Sequence, residues 1–207
     1  MKTGSAEPRH VLRAYLVSAG LLAAVAITSF AGNRLILSQF PDRPRPRDLL
    51  FEVLPYVAWT RYLTVAALVI GFSLFFYYVL RYEAGRIPAF AAIFALMYLF
   101  RAAIMILTPL ASAQGEEPFV FAMQQYGMFP SGHMAASLIL VLLTSAALAP
   151  GLRIAQWVMA VTEGAGLVLA HGHYSIDVVG GLLLAYFVVQ VWTKGKLFDP
   201  IKRLTGP

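Results

Sequence analysis

Long stretches with few or no charged residues recur along the chain, separated by short polar segments. A helix needs about 20 mostly apolar residues to cross a bilayer, and six stretches come near this length. The predicted spans are, in chain order, 12–32, 60–80, 87–109, 131–149, 154–171 and 176–194. They are apolar on all sides, which is typical of membrane helices rather than amphipathic surface helices. The pattern predicts an all-α integral membrane protein, with residues 1–207 forming one domain of six transmembrane helices.

The amino-acid composition agrees with this pattern. Hydrophobic residues make up 59% of the 207 residues and charged residues only 13%, whereas soluble domains carry about 25% charged residues. The chain has no cysteine, which excludes disulfides and thiolate chemistry. The formal net charge of +6 does not call for nucleic acid, and no nucleic-acid partner is expected. In membrane proteins, basic residues collect at the cytoplasmic face and near anionic lipids.

The first predicted span, 12–32, could also be taken for a secretory signal peptide, with the sequence SFAG at 29–32 as a weak cleavage site. Its apolar stretch is longer than the usual apolar core of a signal peptide, and further spans follow it. A retained transmembrane helix is therefore the favoured interpretation.

The distribution of Lys and Arg predicts the orientation of the spans. With six spans, both termini share one side, which carries ten of the 16 Lys and Arg residues, whereas the other side carries five. By the positive-inside rule, both termini are then cytoplasmic. The connections 110–130 and 171–176 hold no Lys or Arg. They are expected to face the periplasm, the cell exterior or a lumen.

The first outer connection departs from this charge pattern. It reads FPDRPRPRDLLFEVLP over residues 40–55, with three arginines among its prolines. One interpretation is a stiff, solvated connector. The other is a basic collar that attracts anionic lipid headgroups.

Four polar side chains from three distant segments are predicted to lie at one depth near the outer face. His133 opens the fourth span from the outer side, His171 and His173 close the fifth, and Arg101 lies in the outer half of the third. Polar groups inside a membrane are costly and tend to be functional. Taken singly, each histidine could be interfacial, and Arg101 could extend to the headgroups.

The spacing of His173 and Asp177 suggests a chemical role. Residues four apart on a helical turn share a face, so the carboxylate could accept the imidazole N–H and fix its tautomer. The other ring nitrogen would then be free as a nucleophile. Alternatively, Asp177 could be an acid favoured by the helix macrodipole, or a metal ligand together with His171 and His173. The His–Asp pair explains the spacing better, so no metal and no other cofactor are expected.

The sequence PSGH at 130–133 supplies complementary groups. Ser131 is a candidate N-cap for the fourth span, and Gly132 allows close approach to the backbone. Unpaired N–H groups at a helix start suit a phosphate. His133 could then act as acid or base on an ester oxygen.

At these residues the chain resembles the type 2 phosphatidic acid phosphatase (PAP2) superfamily of membrane enzymes, which share a six-helix core. PSGH and HYSID (173–177) are similar to the second and third motifs of that superfamily. The resemblance is closer to its sphingomyelin synthase branch, through LAHGHYSIDVV (169–179), FRAAIMILTPL (100–110) and the proline-rich segment 40–55. These motifs lie within residues 39 to 190.

The resemblance implies a metal-free transfer in two steps. His173 would attack the phosphorus of a phospholipid and become a phosphohistidine, while Asp177 orients it. His133 would protonate the departing diacylglycerol and then deprotonate the acceptor, which is a ceramide-like lipid alcohol or water. The expected substrate-binding residues are Arg101, Ser131, Gly132, His171 and Tyr174.

Three classes of function remain open. Headgroup transfer between lipids is favoured, and hydrolysis as a lipid phosphate phosphatase or phospholipase C-like enzyme is the alternative. A non-catalytic scramblase or transporter is the third class. In either enzyme, the substrate is expected to reach the site laterally from the outer leaflet.

The chain also departs from the phosphatase pattern. No K-x6-R-P motif precedes PSGH, and Gly166 and Leu167 stand where the phosphatases carry Ser-Arg. Two phosphate-binding cations are thus absent, which disfavours a phosphomonoester dianion and favours a diester that Arg101 could neutralise. Glu163 lies in the middle of the fifth span, and the hypothesis is that its carboxylate pairs with Arg101.

Overall fold

The computed structural model describes residues 8–113 and 127–206. Within these residues the α-helices are α1 (Pro8–Gln39), α2 (Leu49–Val53), α3 (Thr60–Tyr82), α4 (Ile87–Leu107), α5 (Gly132–Leu143), α6 (Pro150–Leu169), α7 (Ser175–Lys194) and α8 (Asp199–Thr205). A 3-10 turn, Ala84–Arg86, joins α3 to α4. No strand occurs in the described part of the chain, as the all-α prediction requires. Residues 114–126 of the predicted outer connection lie outside the described residues.

Five of the described helices are long and apolar enough to cross a membrane. They are Arg9–Gln39, Thr60–Tyr82, Ala84–Leu107, Pro150–Leu169 and Ser175–Lys194. Their lengths and apolarity support an integral membrane protein. The predicted span 131–149 corresponds to α5, which has only 12 residues and so reaches about 18 Å at about 1.5 Å per residue. The six-span topology and the cytoplasmic termini stay predictions.

Helix α5 is shorter than its predicted span because the backbone leaves the helical conformation at Thr144 and becomes extended (φ −77°, ψ 114°). The Thr144 hydroxyl donates to the Leu140 carbonyl (2.7 Å), and Arg153 Nη1 donates to the Thr144 carbonyl (2.6 Å). The next amide, that of Ser145, donates to the Tyr78 hydroxyl near the end of α3 (3.1 Å). An irregular segment therefore continues α5 towards the far end of the bundle.

Helices α1 and α4 pack side by side in parallel. The Ser18 hydroxyl donates to the Pro88 carbonyl at the start of α4 (2.7 Å). Near the other end, Gly32 lies against Ile106, so close that an added Cβ would be 3.1 Å from its side chain. The parallel direction matches the alternation expected of a first and a third membrane crossing.

Helices α3 and α6 pack in antiparallel orientation. The Thr60 hydroxyl, at the start of α3, lies 3.3 Å from the Gly166 carbonyl near the end of α6 and donates to it. Further along, Gln156 Nε2 donates to the Gly71 carbonyl (2.9 Å). The start of α3 therefore lies at the same end of the bundle as the end of α6.

The interior of the bundle is filled mainly by α3, α4, α5 and α7. Its fully buried side chains include Tyr78, Ile93, Met97, Ile139 and Val188. Helix α8 packs against α1 and α4, and Phe198, just before it, completes the core. Tight packing of this core sets the positions of the helix ends, where the polar residues lie.

Candidate active site

The start of α5 is hydrogen-bonded to two other helices. The Ser131 N–H donates to the backbone carbonyl of Asp177 in the first turn of α7 (2.9 Å). Arg101 Nε, from α4, donates to the Pro130 carbonyl (2.9 Å). The histidines predicted at the ends of separate spans therefore lie at one end of the bundle.

His173 and Asp177 form a buried pair. Their Nδ1 and Oδ2 atoms are 3.1 Å apart, and the side chains are 9% and 0% exposed. His173 precedes α7, so the pair forms across the start of the helix rather than within a helical turn. The same Oδ2 accepts the Tyr174 N–H (3.1 Å). A carboxylate beside Nδ1 favours the tautomer with its proton there, which leaves the Nε2 lone pair for chemistry.

A tight turn connects α6 to His173. The His171 N–H donates to the Val168 carbonyl (3.0 Å), and the Gly172 N–H donates to the Leu167 carbonyl (2.8 Å). His171 has a φ of 48°, a left-handed conformation that histidine adopts more readily than most residues other than glycine. The turn lies between α6 and α7, and His173 stands two residues before the first residue of α7.

His133 lies beside His173. The two ring centroids are 6.0 Å apart, with an angle of 62° between the ring planes. His133 is exposed, whereas His173 is 7% exposed. The site therefore contains one accessible imidazole next to one that is held by a carboxylate, which is an arrangement suited to an acid–base group and a nucleophile.

Ser131 and Gly132 shape the start of α5. The Ser131 hydroxyl accepts the Met134 N–H (3.3 Å), so Ser131 is the N-cap of the helix. At Gly132, an added Cβ would lie 3.0 Å from Arg101 Nε and 3.2 Å from the Tyr98 ring. The close approach to the backbone that Gly132 allows is made in this structure by side chains of α4.

Arg101 is directed at the segment before α5. Besides its bond to Pro130, its Nη2 donates to the Gly127 carbonyl (3.4 Å). Glu163 is fully buried, and neither of its carboxylate oxygens has a hydrogen-bond partner in the described part of the chain. The hypothesis of an Arg101–Glu163 pair is therefore wrong, because backbone carbonyls hold the guanidinium elsewhere.

His171 and Tyr174 pack against the first outer connection. The His171 ring stacks on Phe51 at 4.0 Å, and the Tyr174 ring lies 5.8 Å from the same phenyl group. The Tyr174 hydroxyl is 3.5 Å from the Ser112 carbonyl. Burial lowers the pKa of His171, while the nearby Asp48 carboxylate acts in the opposite direction. The two predicted substrate-binding residues thus contact the outer connection in this structure.

The same connection reaches the site through Asp48, which belongs to none of the motifs that predicted site residues. Asp48 is 8% exposed. Its Oδ2 accepts the Ser175 N–H (2.5 Å) and its Oδ1 accepts the Ser175 hydroxyl (3.1 Å). Its Oδ1 also accepts the Leu50 N–H (2.9 Å). The available signal was a helix-capping residue type directly before the apolar run LLF.

The alternative metal site requires His171, His173 and Asp177 to meet at one point. Across residues 8–113 and 127–206, no group of three or more His, Cys, Asp or Glu side chains could hold a metal ion. The His171 ring instead stacks on Phe51 of the outer connection.

Residues 128–194 match a protein-family model described as PAP2 superfamily C-terminal. The matched segment contains α5, α6 and α7 and therefore includes His133, His173 and Asp177. No curated protein matches the chain. The family match supports membership of the PAP2 superfamily, whose members are generally phosphatases, and so supports an enzyme of lipid-phosphate chemistry.

Proposed function

We propose that this PAP2-type chain is a membrane phosphotransferase, which moves the phosphate-bearing headgroup of a phospholipid to a lipid alcohol through a phosphohistidine at His173. One observation carries the proposal. The buried His173–Asp177 pair, with 3.1 Å between Nδ1 and Oδ2, has the exposed imidazole of His133 as its neighbour at 6.0 Å.

In the first step, the Nε2 lone pair of His173 attacks the phosphorus of the phospholipid. The P–N bond forms while the bond from phosphorus to the diacylglycerol oxygen breaks, and that oxygen takes a proton from the imidazolium of His133. The Asp177 carboxylate accepts the Nδ1–H of His173 and stabilises the positive charge that develops on the ring.

In the second step, neutral His133 removes the proton of the acceptor hydroxyl. The acceptor oxygen attacks phosphorus, the P–N bond breaks, and the electron pair returns to Nε2 of His173. His133 is then protonated again, as it was at the start of the cycle. No proton or electron remains unaccounted for, so the cycle needs no further reactant.

The groups around the start of α5 support a phosphodiester substrate. A guanidinium has five N–H donors, of which Arg101 uses Nε and one Nη2 hydrogen on carbonyls. The remaining donors and the first amides of α5 could bind the two non-bridging oxygens, which share one negative charge. A monoester dianion would need more positive charge than Arg101 supplies.

The sphingomyelin synthase-like reaction in particular is proposed from the resemblance of two motif segments, which meet beside His173. The proline-rich segment 40–55 and the segment 169–179 both carry the closer resemblance to that branch. They meet through Asp48 and Ser175 and through Phe51 and His171. The acceptor proposed on this basis is a ceramide-like lipid alcohol.

Hydrolysis by the same three residues is the second candidate. It needs no further group, because the exposed imidazole of His133 that would serve a lipid hydroxyl as general base could equally activate water. The chemistry is unchanged except that water replaces the lipid hydroxyl in the second step.

The test uses the purified full chain in lipid vesicles with a phospholipid labelled in its headgroup phosphate, with and without ceramide. Label in a new ceramide-derived lipid supports transfer, and label only in water-soluble phosphate products supports hydrolysis. Label that stays in the starting lipid, or full activity of a His173→Ala variant, contradicts both candidates. A His10→Ala variant is the matched histidine control and should keep full activity.

A further inference from the structure

We infer that Asp48 is a positioning residue for the catalytic histidine, which it holds by joining the first outer connection to the start of α7. This inference rests on the proposed role of His173 as nucleophile. The Asp48 carboxylate and its partner Ser175 are 127 positions apart in the chain, and the carboxylate is 8% exposed.

The carboxylate of Asp48 caps two helices at once. Its Oδ1 accepts the Leu50 N–H at the start of α2, and its Oδ2 accepts the Ser175 N–H at the start of α7. The first N–H groups of a helix have no partner within the helix. A buried carboxylate therefore both satisfies the Ser175 donor and complements the positive end of the α7 dipole.

Two carboxylates thus hold the backbone next to His173. The Tyr174 N–H donates to Asp177 and the Ser175 N–H donates to Asp48. Asp177 also binds the His173 ring, so a shift of the first turn of α7 would move the ring and its partner together. The Asp48 bond restricts that shift from outside the helix.

A second contact fixes the other side of His173. Two residues before it, the His171 ring stacks on Phe51 at 4.0 Å with 19° between the ring planes. Two residues after it, Ser175 bonds to Asp48. Asp48 and Phe51 belong to one short segment, so this segment contacts the chain on both sides of His173, at His171 and at Ser175. The arrangement is that of a support for the nucleophile rather than of an isolated helix cap.

The sharpest test is Ser175→Pro, because it removes both donors to Asp48 and keeps the helix. Proline is favoured at the first position of a helix, which Ser175 occupies. The residue before a proline must be extended, and Tyr174 already is, with φ −60° and ψ 152°. Asp48→Ala removes the acceptor instead, and Asp48→Asn keeps an acceptor oxygen without the charge.

Headgroup transfer by these variants is measured in lipid vesicles. Asp48→Ala and Ser175→Pro are each expected to lower kcat about tenfold or more, since small misplacements of a reacting group cost this much, and KM should change less than about twofold. The double variant should lose no more than the weaker of the two single variants, because both changes remove the same two hydrogen bonds between Asp48 and Ser175. Asp48→Asn should recover only part of the kcat, because it keeps one of the two acceptor oxygens and lacks the charge. Unchanged kcat or additive losses would overturn the inference.

The control is Glu52→Ala in the same segment, which removes only a surface ion pair to Arg47 and should leave kcat unchanged. Amide hydrogen exchange over residues 171–180 is read in parallel, because it does not depend on the identity of the reaction. Faster exchange there in both Asp48→Ala and Ser175→Pro, but not in Glu52→Ala, supports the positioning contact. Unchanged exchange overturns it, even if the wild-type chain transfers no headgroup.

Discussion

The imidazoles of His133 and His173 are neighbours, with 6.0 Å between ring centroids, although they belong to separate helix starts. Their proximity depends on the bond from the Ser131 N–H to the Asp177 carbonyl, which aligns α5 with α7. In the proposed mechanism, this side-by-side start of the two helices lets one imidazole protonate the leaving group while the other attacks phosphorus.

The proposed roles of the two histidines can be separated by the choice of leaving group. His133→Gln should lower transfer from a natural phospholipid by about 10²–10⁴-fold, since it removes the general acid. With a nitrophenyl phosphodiester, whose leaving group needs no proton, the loss in the first step should shrink to less than about tenfold. His173→Gln should abolish release of nitrophenol. Equal losses by His133→Gln on both substrates would contradict the assignment of His133 as the acid.

Asp177→Asn tests the stabilisation of the His173 ring. The amide oxygen can still accept the Tyr174 N–H, so the helix start should survive, whereas the negative charge beside Nδ1 is lost. We expect kcat to fall on the order of 10²-fold with a small change in KM, because the charge matters most in the transition state. Thermal unfolding near the wild-type temperature would show that the fold is intact. An unchanged kcat would exclude a catalytic role for the carboxylate.

Gly181→Ala should separate α5 from α7. A Cβ at this position would lie 2.6 Å from the Ser131 carbonyl oxygen and 3.2 Å from the Ala135 nitrogen, both of which are backbone atoms. We expect a loss of about 1–3 kcal/mol in the free energy of unfolding, together with reduced transfer activity. The measurement is thermal unfolding in detergent alongside the vesicle assay.

The matched control for that variant is Gly20→Ala in α1, where an added Cβ meets nothing within 4 Å. Alanine is favoured over glycine inside a helix by roughly 0.5–1 kcal/mol, so this variant should be as stable as wild type or more so. Equal stability of the two variants would mean that the close approach of α5 and α7 is not required.

The membrane topology can be tested by labelling single introduced cysteines, because the chain itself has no cysteine. Asp42→Cys and Ala147→Cys place a thiol at exposed positions before α2 and between α5 and α6. In intact cells, a membrane-impermeant maleimide should label the first variant, and the second should react only after permeabilisation. Labelling of both in intact cells would show that α5 does not cross the membrane and that the six-span topology is wrong.

Features that depend on short stretches of chain were predictable from the amino-acid order alone. Helix class and the approximate bounds of five long helices follow from apolar length. The Ser131 cap and the His173–Asp177 pair were also predictable, since both involve residues within four positions of each other. Such contacts are set by local backbone geometry, whatever the rest of the chain does.

Contacts between distant groups, in contrast, depend on how the helices pack. Arg101 turned to the carbonyls before α5 rather than to Glu163, and the outer connection brought Asp48 to Ser175 and Phe51 to His171. Hydropathy cannot predict these contacts, because they depend on how the helix ends are aligned by packing in the core and not on any period in the sequence. The same limit explains why apolar length alone overestimated α5, which ends at Thr144, where the hydroxyl donates back to the Leu140 carbonyl and Arg153 of α6 donates to the Thr144 carbonyl.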